Sequence, residues 1–119
     1  MVLVDTSVWI DHFRNNNIKL TEILISEEVS CHPFIIGELA CGNIKNRKEI
    51  LSLLKALPTL PKAGDEEILF FIETHNISGK GLGLIDVHLL ASCLFKNAAL
   101  WTLDRKLKET AILCGIEAF

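Results

Sequence analysis

Apolar residues are grouped along the chain in two periods. Val2-Leu3-Val4 is an unbroken apolar run of strand length, the pattern of a strand covered on both faces. Val29-Ser30-Cys31 and Ala98–Leu103 read as further strands, and Ile116–Phe119 as an edge strand. Between them the spacing turns helical. Helices are predicted over residues 7–14 and 19–27, separated by Asn15-Asn16-Asn17. A third covers 33–43, with Pro33 suited to its first turn. A more basic helix runs from about Lys45 to Leu57, and Pro58 and Pro61 bracket the loop after it. Asp65-Glu66-Glu67 opens a helix to about His75, acids first, as the helix dipole favours. A strongly apolar helix spans 84–96 and an amphipathic one 105–114, while Ser78–Gly83 is a glycine-rich turn. Short apolar strands alternating with helices imply an α/β domain whose parallel sheet is covered on both faces. With 119 residues, one domain over 1–119 is expected.

Four acids interrupt this pattern. Asp5 ends the first strand, Asp104 follows Leu100–Leu103, and Glu38 and Asp86 have apolar neighbours at helical spacing. A carboxylate on an apolar face is costly without compensation. In parallel sheets ligands bind beyond the carboxyl ends of the strands, where Asp5 and Asp104 both fall. At ~4 Å and an effective dielectric of ~20, each pair of such charges repels by about 4 kcal/mol. One shared hard cation, Mg²⁺ or Mn²⁺, removes the conflict. Such an ion also acidifies a bound water and neutralises phosphoryl oxygens, so the pattern points to phosphodiester hydrolysis. Singly, each acid has a plainer account. Asp5 can cap its own helix, and Asp86 suits the dipole. Thr6, Ser7 and Thr102 adjoin the acids and can orient them, although Ser7 can equally be an N-cap. The other acids of the 15 lie on polar stretches, apart from Glu73, which has apolar neighbours, and Asp11, expected in solvent.

Composition narrows the picture. Half the residues are hydrophobic and mean hydropathy is +0.36, yet no apolar run approaches a membrane span. Excess apolar surface is therefore expected in the core and a partner interface. No signal peptide is evident and none of the four cysteines forms a CxxC pair. Reduced buried thiols in a cytoplasmic protein follow, rather than zinc. The net charge of −3 excludes a surface of general positive potential. No histidine among His12, His32, His75 and His88 has the setting of a general base, and His88 is expected to face solvent or a helix neighbour. Gly79–Gly83 lacks the Lys-Ser/Thr of a phosphate loop. A phosphatase with an aspartyl nucleophile would want Asp where Ser7 stands.

Val4-Asp5-Thr6-Ser7-Val8-Trp9, Ile36-Gly37-Glu38-Leu39, Ile85–Ala91 and Thr102-Leu103-Asp104 together resemble the four motifs of PIN-domain ribonucleases, and most closely those of VapC-type toxins. The resemblance covers the whole chain, in order. It implies a three-layer α/β/α fold with a central parallel sheet of four to five short strands. It implies a Mg²⁺- or Mn²⁺-dependent endoribonuclease with Asp5, Glu38, Asp86 and Asp104 as its catalytic and metal-binding acids. Ser7, Thr6 and Thr102 would support them. It further implies a homodimer and a small antitoxin whose tail fills the active-site groove. One departure concerns the last motif: Arg105-Lys106-Leu107 stands where many relatives carry another acid or Asn and an aromatic.

RNA needs cations that meet its phosphates. Arg14, Arg105 and Lys106 are the candidates near the expected groove, with Lys108 beside them; Lys45, Arg47 and Lys48 make a second patch. Trp9 and Trp101 are expected in the core rather than as stacking platforms. Leu69–Ile72 is a dimer seam, an antitoxin groove or core. Two further readings stand beside the toxin: a PIN nuclease of RNA processing without an antitoxin, and a silent PIN-fold binding module.

Overall fold

Strand β1 (Val2–Val4) is buried at all three positions, as expected of a central parallel strand with cover on both faces. It lies between β2 (Val29–Ser30) and β3 (Ala99–Trp101) in a sheet of order β2-β1-β3. Both pairings are parallel: Val2 faces Val29 on one side and Ala99 on the other. The computed structural model describes residues 1–119. The crossovers β1→β2 and β2→β3 run in opposite directions along the sheet, and right-handed connections of that kind send their helices to opposite faces.

The sheet has three strands, where four to five are expected from the sequence. The two flanking positions carry single parallel bridges, Cys31 to Thr59 and Leu100 to Ala118. At the first, Cys31 donates to the Pro58 carbonyl and accepts from Leu60. Pro58 and Pro61 have no N–H to extend that ladder. Ile116–Phe119 likewise contributes two hydrogen bonds to Leu100 and no strand.

Seven helices connect the strands: α1 (Thr6–Asn15), α2 (Ile18–Ile25), α3 (Pro33–Cys41), α4 (Arg47–Ala56), α5 (Asp65–Thr74), α6 (Leu84–Lys96) and α7 (Arg105–Leu113). Each matches a helix expected from the spacing, with ends moved by at most two residues. Two ends are instructive. Helix α3 stops at Cys41, and α4 starts only at Arg47, because Asn46 takes a left-handed conformation. Arg47 then reaches back to the Ala40 and Gly42 carbonyls at the end of α3, groups that a helix leaves without intrahelical partners. This basic residue is thereby occupied within the fold rather than presented to phosphates.

Twenty-seven buried apolar residues form one cluster around the sheet. Helix α6 is its main contributor, buried at every position from Val87 to Cys93. No helix is long and apolar enough to cross a membrane. Trp9 belongs to the cluster, while Trp101 is half-buried and stacks on Phe119, ring centroids 5.0 Å apart. His88 is buried against the Phe34 ring at 4.7 Å rather than facing solvent. Cys31 and Cys93 are buried thiols, as expected, whereas Cys41 is exposed. Leu69–Ile72 divides by face: Phe71 is in the core, while Leu69 and Phe70 are exposed, Phe70 by 72%.

Candidate active site

The site lies where β1 and β3 end side by side. The Asp5 backbone N–H donates to the Trp101 carbonyl at 2.9 Å, so the two strand ends stay paired up to Asp5. Asp5 is the N-cap residue of α1, but its side chain makes no capping bond. Its Oδ2 instead accepts from two hydroxyls, Ser7 Oγ at 2.8 Å and Thr102 Oγ1 at 2.7 Å. The plainer accounts of Asp5 and Ser7 as caps of α1 therefore do not describe the molecule.

The same hydroxyls reach onward. Ser7 Oγ accepts from the Leu103 backbone N–H at 3.0 Å, and Thr102 Oγ1 from the Asp104 N–H at 3.0 Å. The turn that carries Asp104 is thus pinned to Asp5 through two side chains. Asp104 N-caps α7: one of its carboxylate oxygens, Oδ1, accepts from Leu107 N–H at 3.0 Å, which leaves the other for a ligand. Across the site, Thr6 Oγ1 donates to Glu38 Oε1 at 2.7 Å and so links α1 to α3. Asp86 sits in the first turn of α6, which begins after Gly83.

Electrostatics shows that the four acids share one field. Burial pushes the Asp86 carboxyl above its usual range. The charges of Asp5, Asp104 and Glu38 push it further, against a lowering hydrogen bond from the Gly83 backbone. The fold supplies no cation to them: the chain's two ion pairs are Lys19–Glu22 and Arg105–Glu109.

The structure changes the sequence argument in one respect. Asp5 is 7% exposed and Asp86 half-buried, but Glu38 and Asp104 are exposed. Leu39 beside Glu38 and Leu107 after Asp104 are buried, but Leu103 is 58% exposed like the acid it precedes, so these two acids escape the desolvation cost expected of them. Nor do any three acids stand close enough to form a ready cation cage. The donor set is nonetheless wholly hard carboxylate oxygen without a counter-charge. It suits an ion such as Mg²⁺, which binds through one or two carboxylates and keeps several waters.

An open groove of roughly 750 Å³ borders the site and shares Glu38 with it. Ile10, Phe13, Leu39, Ile44 and Ile50 supply its apolar lining, and Arg14 and Lys45 its cations. Of the three cations expected to meet RNA, Arg14 lies in this groove. Lys106 folds over Gly81 in the turn before α6, where an added Cβ would stand 3.2 Å from its Nζ. Gly81 also has φ +78°, a second reason for glycine there. Arg105 projects into solvent beside Glu109. Sequence reasoning missed His32, which is fully buried and N-caps α3. Its place directly before Pro33, at a predicted helix start, was the available signal.

The PIN domain family profile matches residues 2–113. Ribonuclease VapC32 of Mycobacterium tuberculosis is 43% identical over 117 residues, covering 98% of this chain and 94% of that protein. Among solved structures, FitAB bound to an IR36 DNA fragment has a chain of TM-score 0.68 at 15% identity, matched over 100% of this chain and 94% of its own. FitAcB from Neisseria gonorrhoeae gives 0.64 at 18% identity over 100% and 96%. PAE2754 from Pyrobaculum aerophilum gives 0.65 at 16% over 92% and 83%. These three are likenesses of fold. With a profile that spans nearly the whole sequence and a relative of such identity over almost all of both chains, this protein belongs to the PIN domain family.

Proposed function

We propose that the chain is a metal-dependent endoribonuclease and the toxin of a VapBC-like toxin–antitoxin pair, acting in the cytoplasm. The observation that carries the reading is the uncompensated field of Asp5, Glu38, Asp86 and Asp104, felt together at Asp86. The likeness to Ribonuclease VapC32 supports RNA as the substrate. Asp5, Asp86, Asp104 and Glu38 would hold Mg²⁺ or Mn²⁺. The ion would supply an acidified water and neutralise charge growing on the phosphoryl oxygens.

The chain's own residues prepare that site. Ser7 and Thr102 both donate to Asp5 Oδ2, which leaves Oδ1 to serve as the ligand atom. Thr6 fixes the Glu38 carboxylate, which an exposed side chain would otherwise lose to rotamer freedom. Arg14, which lines the groove together with Glu38, and Lys106, which lies over the turn before α6, suit phosphates of a bound RNA. The apolar groove suits the antitoxin's tail. The exposed Leu69 and Phe70 of α5 suit the seam of a homodimer.

The test is incubation of purified protein with total RNA, with Mn²⁺, without it, and with EDTA, followed by mapping of the cleaved ends. Discrete new ends that require Mn²⁺ and vanish in Asp5→Asn are expected. Cleavage indifferent to EDTA, or retained in Asp5→Asn, overturns the proposal.

A further inference from the structure

His32 has no exposed surface, and all its polar atoms are used. Nδ1 accepts the Phe34 backbone N–H at 3.1 Å and so caps α3. Nε2 lies 3.1 Å from Ser92 Oγ in α6. Ser92 gives its one hydrogen to the Pro61 carbonyl at 2.9 Å. Its oxygen must then accept from His32, which selects the neutral ring with hydrogen on Nε2. Burial pushes His32 down to about 4, and the nearby His88 and Lys62 charges act in the same direction, so the ring is neutral near pH 7. The Phe34 ring packs edge-on against His88 beside this link, a second contact between the same two helices.

We infer that His32 and Ser92 form a clamp that sets the position of Glu38 relative to Asp86. His32 begins the helix that carries Glu38, and Ser92 lies on the helix that carries Asp86. Each acid is six residues along its helix from the clamp, roughly 9 Å at the helical rise. A rigid helix carries a displacement at one end to the other, so slack at the clamp becomes slack between two carboxylates that face one ion. His32 is a positioning residue: it touches neither RNA nor ion. This inference rests on the four acids being a cation site.

The experiment measures Mn²⁺ binding to the purified protein by calorimetry, without RNA, together with the melting temperature. Ser92→Ala keeps the α3 cap and cuts the clamp; His32→Asn does the same, since its shorter amide can still cap. Both should bind Mn²⁺ about tenfold or more weakly, as losses of supporting contacts around metal sites do. His32→Gln gives up the cap yet can reach Ser92, and should bind within about threefold of wild type despite a lower melting temperature. Ile77→Val, a core change at a residue outside the hydrogen bonds of the clamp, should melt lower with unchanged affinity. Affinity that follows melting temperature across the series, or wild-type affinity in Ser92→Ala and His32→Asn, overturns the clamp alone. If wild type itself binds no Mn²⁺, the cation site fails and the clamp with it.

Discussion

Thr102 Oγ1 lies 2.7 Å from Asp5 Oδ2, a buried hydrogen bond between residues 97 apart in the chain. It joins the carboxyl ends of β1 and β3, and the same oxygen receives the Asp104 N–H. One hydroxyl therefore sets the spacing of two of the four acids. Thr102→Val keeps the shape and removes both bonds. It should cost about 1–3 kcal/mol, because the buried Asp5 carboxylate and the part-buried Asp104 N–H each lose a partner. RNA cleavage should fall by ~10-fold or more, as for other supporting contacts at metal sites. Urea unfolding and single-turnover cleavage check the two parts. An unchanged cleavage rate would remove Thr102 from the site.

Asp86→Asn separates stability from chemistry. The folded state raises the Asp86 proton affinity, so its ionised form is strained against the other acids. That penalty appears as pH rises through the shifted range, and the metal-free wild type should lose stability there. Asn has no charge to strain. The variant should melt at or above the wild-type temperature at pH 7 in EDTA, yet cleave RNA at least ~100-fold more slowly. Melting curves across pH in EDTA, alongside a cleavage assay, decide this.

His32 makes the fold sensitive to acid. Its folded value of about 4 lies below the ordinary 6.5. Its contribution is complete above 6.5 and is lost as pH falls towards 4, because the unfolded chain binds the proton more readily. The facing charges, His88 and Lys62, are both basic, so neither supplies a counter-ion. Metal-free wild type should lose on the order of 3 kcal/mol or less between pH 6.5 and 4 through this group. The slope should be shallower in His32→Asn, measured by urea unfolding at stepped pH.

Thr6→Val should leave stability within about 0.5 kcal/mol, as for other surface changes, since Glu38 is exposed. Cleavage should still drop severalfold, with most of the loss in kcat, because the Glu38 carboxylate is freed to rotate. A loss confined to KM would assign Thr6 to RNA binding instead.

Lys106→Ala should weaken RNA binding evenly across sequences and reduce the salt slope of log K by about one unit. Arg105→Ala, whose side chain points to solvent beside Glu109, should do less. Filter binding at stepped salt in EDTA, where nothing is cut, distinguishes the two.

The pattern along the chain was enough to determine the element order, the parallel sheet, and the placing of Asp5 and Asp104 at neighbouring strand ends. Those are consequences of local periodicity and of the rule that parallel strands end on the same side. The four motifs were equally visible, since each is a short contiguous run. Other features needed the folded molecule. Glu38 and Asp104 have apolar neighbours in sequence yet face outward, and only the packing of α3 and α7 decides which face turns inward. The sheet stops at three strands because the segments at Thr59 and Ala118 meet it over a single bridge each. Strand length reflects the partner's backbone as much as a residue's own preference. The bonds from Thr6 to Glu38 and from His32 to Ser92 join residues 32 and 60 positions apart. No local period encodes them; they exist because the sheet and its helices bring separate stretches of chain within 3 Å or so of each other.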